Sequence, residues 1–353
     1  MQTRKLGRTG IDVSAICLGT MTYGEQTGED DARAQMDFAL EHGIDFFDTA
    51  ENYSIPPKAE TQGSTEKIIG RWMKDRKARG KITLASKVSG RSDMTWMRKD
   101  KSRPELNRKH MEEALESSLR RLQTDHIDLY QVHWPDRAVT DFGSNTPVFR
   151  DMRGKNAGGA ENSIESTLEV LDGFVKSGKV RAIGLSNENA WGAMSWLHHS
   201  TMRGMARPQS IQNAYSLLNR TFEFSLAETA MREDLGLLAY SPLGQGFLTG
   251  KYQGGALPEG ARKTLFNRAQ RYDRPGNAEA IDEYMKIAKD FGLDCGLMSL
   301  AFVLSRPFVT SMIFGARNME QLRFDIACKD VKITPEIEAR IDAVHLKWTS
   351  PAY

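Results

Sequence analysis

Cysteine, net charge and long apolar runs are all scarce in this chain of 353 residues. Its three cysteines, Cys17, Cys295 and Cys328, are scattered, so they support neither a disulfide framework nor a zinc site. A formal net charge of +2 gives no electrostatic footprint for nucleic acid or an anionic membrane. No apolar run approaches the roughly 20 residues of a membrane span. We therefore expect no metal, nucleic acid or membrane as a partner.

The N-terminus and the composition favour a cytoplasmic globular protein. Residues Met1–Lys5 lack the apolar core of a signal peptide. With 40% hydrophobic and 27% charged residues, the composition is that of a soluble protein with a large core. No repeat, linker or low-complexity segment divides the chain, which predicts one domain over residues 1–353.

Apolar segments alternate with helical ones after a short predicted hairpin at 3–14, whose two glycines, Gly7 and Gly10, suit a tight turn. The predicted strands that follow are 15–19, 44–48, 82–87, 127–133, 180–186, 210–213, 236–240 and 309–314. This alternation requires parallel strands with right-handed crossovers, and eight such units close into an α/β fold, the (β/α)8 TIM barrel. A doubly wound open sheet is disfavoured because no Gly-x-Gly-x-x-Gly follows any predicted strand.

Local signals also mark helix ends and long loops. Asn107 is predicted to cap one helix, Asn162 and Glu165 resemble a capping box at the start of another, and Gly178 ends that second helix. Two connections, at about 134–161 and 241–276, are too long for simple loops. Both follow strands, so both are expected on the C-terminal face of the barrel, where long loops are usually functional.

Polar side chains fall at the ends of successive predicted strands, where barrel enzymes carry their catalytic residues. They are Asp48, Lys87, His133, Ser186-Asn187, Gln212-Asn213 and Tyr240, and Tyr53 follows Asp48 five residues later. A tyrosine has a pKa of about 10, which is high for proton transfer near neutral pH. A neighbouring ammonium favours the phenolate, so Lys87 is expected to lower the pKa of Tyr53 and make it a usable general acid.

The same pattern gives roles to the other two side chains. Asp48 would hold Lys87 charged and oriented, and His133 would donate a hydrogen bond to a substrate oxygen. A general acid aimed at an oxygen, without a metal or a nucleophilic serine or cysteine, suits carbonyl reduction with hydride from a cofactor. Each of these residues alone could equally be structural or solvated, and their succession at strand ends favours the functional interpretation.

Other titratable residues give no such pattern. The remaining histidines lack partners at motif spacing and are interpreted as structural or solvated: His42, His110, His126, His198, His199 and His345. Glu51 and the pair Glu112-Glu113 are interpreted as surface carboxylates.

Several motifs together resemble those of the aldo-keto reductases, along almost the whole chain from Arg4 to Trp348. They are Leu18-Gly19-Thr20-Met21, Asp48-Thr49-Ala50-x-x-Tyr53, Ala85-Ser86-Lys87, Asp128-Leu129-Tyr130-Gln131-Val132-His133, Ile183-Gly184-Leu185-Ser186-Asn187, Gln212-Asn213-x-Tyr215, Tyr240-Ser241-Pro242-Leu243 and Gly315-Ala316-Arg317. Within the family the chain is similar to the bacterial Tas-like branch, which Pro56-Pro57 and Glu60-Thr61-Gln62-Gly63 support.

The resemblance implies NADPH extended across the C-terminal face without a Rossmann domain. It makes Asp48, Tyr53, Lys87 and His133 a catalytic tetrad in which Tyr53 is the proton donor. Ser186, Asn187 and Gln212 would bind the nicotinamide carboxamide, and Tyr240 would stack on the ring. The resemblance also implies cofactor contacts from Gly19, Thr20, Met21, Asp48, Ser241, Leu243, Gly246, Lys251, Arg262, Gly315 and Gln321.

Cofactor choice depends on Arg317, which follows the last strand at the start of a helix. Many relatives place groups that bind the adenosine 2′-phosphate at this position, so the resemblance implies that Arg317 binds it and favours NADPH over NADH. A guanidinium binds phosphate in bidentate fashion, and a helix N-terminus adds to that attraction. Many relatives carry Glu-Asn near the adenine where this chain has Phe324-Asp325. Asp325 can accept a bond from the adenine amino group, but Phe324 cannot.

The expected substrate is a small-molecule aldehyde or ketone, bound by Tyr23, Tyr53, His133 and Trp134 with parts of the 134–161 loop. One alternative is an NADPH-binding regulatory or sensor module with little turnover, by analogy with the related potassium-channel β-subunits. A barrel hydrolase would require metal ligands or paired catalytic carboxylates, and the sequence has neither pattern. We expect a monomer.

Overall fold

A computed structural model describes residues 1–139, 142, 160–266 and 271–352. The strands in chain order are β1 (Thr3–Lys5), β2 (Asp12–Ser14), β3 (Ile16–Gly19), β4 (Phe46–Asp48), β5 (Thr83–Val88), β6 (Ile127–Val132), β7 (Val180–Ser186), β8 (Pro208–Ala214), β9 (Gly236–Tyr240) and β10 (Val309–Phe314). Strands β3 to β10 form a closed parallel barrel in which neighbours follow chain order and β10 pairs with β3. The predicted (β/α)8 barrel is confirmed.

Helices surround the barrel. They are α1 (Glu29–Glu41), α2 (Ser64–Arg76), α3 (Arg108–Leu122), α4 (Ile164–Lys176), α5 (Ala190–Arg203), α6 (Leu226–Glu233), α7 (Arg262–Phe266), α8 (Asn277–Asp290), α9 (Cys295–Ser305), α10 (Met319–Ile326) and α11 (Pro335–Lys347). Their apolar faces pack on the outward side chains of the strands, as the amphipathic stripes of α3 and α4 require. Among the described helices, none combines the length and the apolar character needed to span a membrane.

The helix ends follow the predicted signals with one correction. Asn107 caps α3 by accepting from the backbone N–H of His110, as predicted. Asn162 does not cap α4. That position is taken by Ser163, whose hydroxyl accepts from the backbone N–H of Ser166. Asn162 instead donates from its backbone and side chain to Asp136. A cap needs a free side-chain acceptor in the right backbone geometry, and spacing alone did not separate the two neighbours.

The predicted hairpin is present, and it packs against the amino-terminal end of the barrel. β1 and β2 pair antiparallel with Thr3 opposite Ser14. Leu6, Ile11 and Val13 of the hairpin join inward side chains of the barrel in one buried apolar cluster. That cluster includes Cys17, Phe46, Ala85, Leu129, Ala182, Leu238 and Ile313. The lower end of the barrel is therefore filled by side chains, and the opposite end is left for polar residues.

Both predicted long connections contain residues outside the described part of the chain. In the first, at 134–161, these are 140–141 and 143–159. In the second, at 241–276, only residues 267–270 lie outside the described part. The described part contains short helical turns at Gly244–Thr249 and Gln253–Gly255 before α7.

Candidate active site

Four predicted side chains converge at the carboxyl-terminal end of the barrel. Asp48 ends β4, Lys87 lies near the end of β5, and His133 follows β6 directly. Tyr53 is delivered by the turn after β4, where its backbone N–H donates to the carbonyl of Ala50. Because parallel strands present their carboxyl ends on one face, residues far apart in sequence meet there.

Lys87 is the centre of the group. Its ammonium donates to Asp48 Oδ1 at 2.5 Å, to the carbonyl of Thr49 at 2.9 Å and to the Tyr53 hydroxyl at 3.2 Å. The side chain of Lys87 is fully buried, so these three bonds satisfy all its donors without water. The ring of His133 lies edge-on to that of Tyr53, with centroids 5.8 Å apart. The phenol and the imidazole thus lie next to each other at the mouth of the barrel.

Burial and charge set the protonation states. Burial raises the pKa of the Tyr53 phenol, and the Lys87 ammonium offsets only part of that shift. The expected net lowering of the Tyr53 pKa is therefore wrong for this state of the site. Burial alone would lower the pKa of Lys87, but Asp48 and Tyr53 raise it above its ordinary value. Burial, with the Lys87 charge, holds the pKa of His133 well below its usual range. At neutral pH the site contains a protonated phenol, a charged lysine and a neutral imidazole.

The residues expected to bind the carboxamide form a hydrogen-bonded set beside this group. The Ser186 hydroxyl donates to the carbonyl of Gln212 at 2.8 Å. Asn187 donates from Nδ2 to the carbonyl of His133 at 2.8 Å and accepts at Oδ1 from the Tyr240 hydroxyl at 2.7 Å. Asn187 and Ser241 both have positive φ, at 53° and 55°. Such backbone conformations are uncommon for non-glycine residues and cluster at functional sites.

Three cations come together on the same face, from the loop after β9 and the start of α10. Burial is the main cause that lowers the pKa of Lys251. The positive charges of Arg317 and Arg262 lower it further, which shows that the three cations lie close together. Arg317 donates to the carbonyl of Gly260, and its backbone N–H donates to Gln321 Oε1 at 3.0 Å. Gly246 packs against Lys251, and a Cβ there would lie 2.8 Å from the ammonium. We call Lys251, Arg262 and Arg317 the cationic cluster.

Asp325 faces this cluster from α10 and is 5% exposed. Burial raises its pKa to about 7, although the Lys251 ammonium acts in the opposite direction. Phe324, its neighbour, is 37% exposed. A buried carboxylate with a raised pKa is a hydrogen-bond acceptor at higher pH, and the predicted contact of Asp325 with an adenine amino group stays a prediction.

The first and last strands of the barrel meet in a narrow gap beside the tetrad. A Cβ on Gly315 would lie 2.7 Å from the carbonyl of Gly19, which only glycine avoids. Thr20 donates from its hydroxyl to the carbonyl of Asp48 at 2.8 Å. Met21 links this gap to the cationic cluster, since its sulfur accepts from Arg262 at 3.8 Å. Leu243, partly buried, begins the turn that leads to Gly246.

Trp134 and Tyr23, two of the residues predicted to bind substrate, differ in their positions. Trp134 is partly buried next to His133, with ring centroids 4.8 Å apart, and its indole donates to the carbonyl of Arg91. Tyr23 is fully buried in the core between barrel and helices, where its hydroxyl donates to Gln35 at 3.1 Å. Tyr23 therefore lies away from the mouth, and its predicted contact with substrate is not supported. The aromatic side chain is core material here.

The structure corrects the interpretation of Glu51 as a surface carboxylate. The side chain of Glu51 is 2% exposed, and that of its partner Arg98 is fully buried. Arg98 donates to both carboxylate oxygens, at 2.9 and 3.0 Å, and the backbone N–H of Ser89 donates to Oε1 at 2.8 Å. This ion pair supports the turn that carries Tyr53. Glu112 and Glu113 are on α3, and Glu112 is about half exposed as expected.

Two residues of the site were not singled out from the sequence. Gln131, on β6, donates to Asp48 Oδ2 at 3.1 Å. Arg271 lies beside Tyr240, with the guanidinium 3.5 Å from its hydroxyl. Gln131 lies within one of the family motifs, and its further sequence signal is an amide on the strand face that it shares with Leu129. Arg271 has no signal, because it lies deep in a long loop. Within the described residues no group of three or more His, Cys, Asp or Glu could hold a metal ion.

Comparison with known sequences agrees with the closed (β/α)8 barrel. The chain belongs to the aldo/keto reductase family, whose family model matches residues 15–345. It is 45% identical to "Protein tas" of Escherichia coli over the full length of both chains. It is 32% identical to "Aldo-keto reductase YhdN" of Bacillus subtilis, over 91% of this chain and 87% of that one. The similarity to the Tas-like branch is thus confirmed.

A more distant relative is a "Probable voltage-gated potassium channel subunit beta" of Oryza sativa, 28% identical over 98% of this chain and 96% of that one. Family membership and the relatives named as reductases support an oxidoreductase that acts in carbonyl reduction.

Proposed function

We propose that this protein reduces small-molecule aldehydes or ketones to alcohols with NADPH, and that Tyr53 is the general acid. The observation that carries the proposal is the buried lysine at the centre of the site. Lys87 donates to both Asp48 and the Tyr53 hydroxyl, and the phenol is the neutral, proton-bearing partner. This arrangement is suited to releasing one proton to an oxygen.

The residues present fit a dinucleotide phosphate cofactor. The cationic cluster contributes three positive charges, and the Asp325 carboxylate opposes the effect of the two arginines by raising the pKa of Lys251. The adjoining turn has positive φ at Gly244, Gln245 and Gly246. Gln245 Oε1 is buried and has no hydrogen-bond partner among the described residues. Clustered cations and an unsatisfied buried acceptor are what a phosphate-rich ligand with amide or hydroxyl donors would use.

When bound, the cofactor supplies a hydride to the carbonyl carbon. His133, neutral because of its lowered pKa, donates a hydrogen bond that orients the carbonyl oxygen. Tyr53 gives its phenolic proton to that oxygen, which completes the alcohol. The Lys87 ammonium stabilises the phenolate that remains, and Asp48 balances the lysine charge. No metal or covalent intermediate is needed.

Cofactor preference depends on the cationic cluster. Arg317 begins the segment before α10, where a guanidinium and the helix N-terminus act together on an anion. Only NADPH has a phosphate on the adenosine 2′-oxygen, so a cation there favours NADPH over NADH. Ser186, Asn187, Gln212 and Tyr240 are the proposed contacts for the nicotinamide, at the opposite end of the cofactor.

The test compares wild type with Tyr53→Phe in two assays. NADPH consumption with 4-nitrobenzaldehyde measures turnover, and quenching of protein fluorescence by NADPH measures binding. Tyr53→Phe is expected to lower kcat by roughly 10²–10⁴-fold, because it removes only the acid. The dissociation constant for NADPH should stay within about twofold.

Tyr23→Phe is the matched control, because it removes a buried hydroxyl that lies outside the site. It should leave both assays unchanged. If Tyr53→Phe also lost NADPH affinity, the proposed role of Tyr53 as acid alone would be wrong. NADPH binding without turnover by wild type on a broad aldehyde panel would favour the sensor module instead.

A further inference from the structure

A layer of buried polar side chains lies directly beneath the proposed tetrad. Asp48 Oδ2, the oxygen that does not contact Lys87, accepts from Gln131 Nε2 at 3.1 Å and from Gln212 Nε2 at 2.9 Å. Gln212 Nε2 also donates to Gln131 Oε1 at 3.2 Å. All three residues are buried, with Gln131 fully inaccessible. The three side chains therefore form a closed triangle of hydrogen bonds.

The barrel geometry explains why these residues meet. Asp48, Gln131 and Gln212 come from β4, β6 and β8, which are alternate strands, and alternate strands supply one layer of a barrel interior. The layer below contains Phe46 and Leu129 on two of the same strands and the buried Ser210 on the third. Gly184 on the intervening strand leaves room for the amide, since a Cβ there would lie 3.1 Å from Gln131 Cγ.

The acceptor at the centre fixes which way both amides point. An ionised carboxylate can only accept hydrogen bonds, so each glutamine turns its nitrogen toward Asp48. The two hydrogens of the Gln212 amide are then used by Asp48 and by Gln131. Its oxygen is left as an acceptor. An acceptor is the group that recognises the –NH₂ of a carboxamide.

Stability alone does not account for an amide at this position. A buried, fully hydrogen-bonded amide contributes only about 1 kcal/mol of net free energy per bond, because its bonds replace bonds to water in the unfolded chain. An apolar residue at this position would match Leu129, two residues earlier on the same strand. The amide is therefore better explained by what it does to its two partners.

We propose that Gln131 is a positioning residue that acts through Asp48 and Gln212, a role that rests on the proposed function. By bonding to Asp48 Oδ2 it holds the carboxylate with Oδ1 toward Lys87. By accepting from Gln212 it holds that amide with its oxygen available to the nicotinamide carboxamide. The side chain of Gln131 thus connects Asp48, the partner of Lys87, to Gln212, the proposed contact of the nicotinamide carboxamide.

Gln131→Leu tests the role, because it preserves volume and removes every hydrogen bond. We expect about a tenfold loss in kcat and about a fivefold weaker NADPH dissociation constant, the effect of one or two lost bonds to charged or oriented groups. The melting temperature should fall by only a few degrees, because one buried N–H of Gln212 loses its acceptor. A residue that only maintained the fold would leave kcat and NADPH affinity of the folded protein within twofold of wild type, and that result would overturn the proposal. Gln131→Met serves the same purpose if the leucine variant does not fold.

A double-mutant cycle separates the two partners. In a Gln212→Leu background, Gln131→Leu should no longer weaken NADPH binding but should still lower kcat through Asp48. An unchanged effect of Gln131→Leu on NADPH binding in that background would overturn the link to Gln212.

Gln131→Glu adds a pH readout. The introduced carboxyl repels Asp48 when ionised and can donate to it when protonated, so the activity ratio to wild type should rise as pH falls. A ratio that does not change with pH would overturn the link to Asp48. Failure of the proposed function is distinguishable, since wild type itself would then not bind or oxidise NADPH.

Discussion

The two ends of the barrel are built by the same strands and differ in almost every other respect. On β4, Phe46 faces the lower cluster and Asp48 the proposed site, and on β6, Leu129 and Gln131 divide in the same way. The members of each pair are two residues apart, which is the repeat of one face of a strand. From one inward-facing residue to the next on the same strand, the environment therefore changes from apolar packing to charge and hydrogen bonds.

The difference teaches that stability and chemistry are separated along the barrel axis. The lower end buries hydrocarbon from the hairpin and the strands, which contributes about 25 cal/mol per Å² of apolar surface. The upper end buries a lysine, a carboxylate and two amides, whose desolvation offsets most of what their bonds contribute. We expect the lower end to supply most of the stability of the fold. The upper end is expected to add little stability and to serve the proposed function.

The largest expected effect comes from breaking the upper end at its centre. Lys87→Met should lower kcat/KM by roughly 10²–10⁴-fold, because Tyr53 loses the cation that stabilises its phenolate. It should also lower the free energy of unfolding by about 3–5 kcal/mol, since Asp48 is left as a buried charge without its partner. Steady-state kinetics and urea denaturation measure the two effects.

The double variant Lys87→Met/Asp48→Asn is the control. It removes both charges and keeps an oxygen that can accept from Gln131 and Gln212, so the stability should return toward that of wild type, while activity stays lost. A double variant as unstable as the single one would contradict the view that the upper end costs stability.

The converse change removes packing at the lower end. Leu6 is fully buried in the hairpin, and Leu6→Ala should lower the free energy of unfolding by about 2–5 kcal/mol. kcat and KM of the folded protein should remain within twofold of wild type. Leu346→Ala, at a site 79% exposed, is the matched control and should change neither quantity. A large fall in kcat for Leu6→Ala would show that the two ends are coupled.

The smallest effect concerns cofactor choice at the rim of the upper end. Arg317→Ala should weaken NADPH binding roughly tenfold or more and leave NADH binding nearly unchanged. Arg323→Ala removes the same charge from α10, where the guanidinium lies over Phe38 instead of the cationic cluster, and should affect neither cofactor. Equal loss of both cofactors in the Arg317 variant would contradict the 2′-phosphate contact.

The barrel was predictable because its signal is local and repeated. Each strand is an apolar run bounded by turn residues, and the polar residue at its end marks the functional face. The convergence of Asp48, Tyr53, Lys87 and His133 followed from family motifs and from this rule. Their catalytic roles remain a proposal.

What the sequence could not supply depends on partners far along the chain. The burial of Glu51 is set by Arg98, 47 residues later. Tyr23 is placed by its neighbours in the core and by Gln35. The pKa of Tyr53 is raised because burial outweighs Lys87, and burial is a property of the packed site. Gln131 was part of a motif, but its meaning required the position of Asp48 in space.

Closure of the barrel has a consequence in time. β3 pairs with β10, whose residues lie about 300 positions later in the chain. At a synthesis rate of about 5–20 residues per second, the first barrel strand waits roughly 15–60 s for its last neighbour. During that interval its edge is open to other chains, a hazard that closed barrels no longer have once complete. All four residues of the proposed tetrad are synthesised by position 133, well before Gln212, Tyr240 and Arg317. The residues proposed for proton transfer are thus synthesised early, and the site around them is complete only after the last strand has joined the barrel.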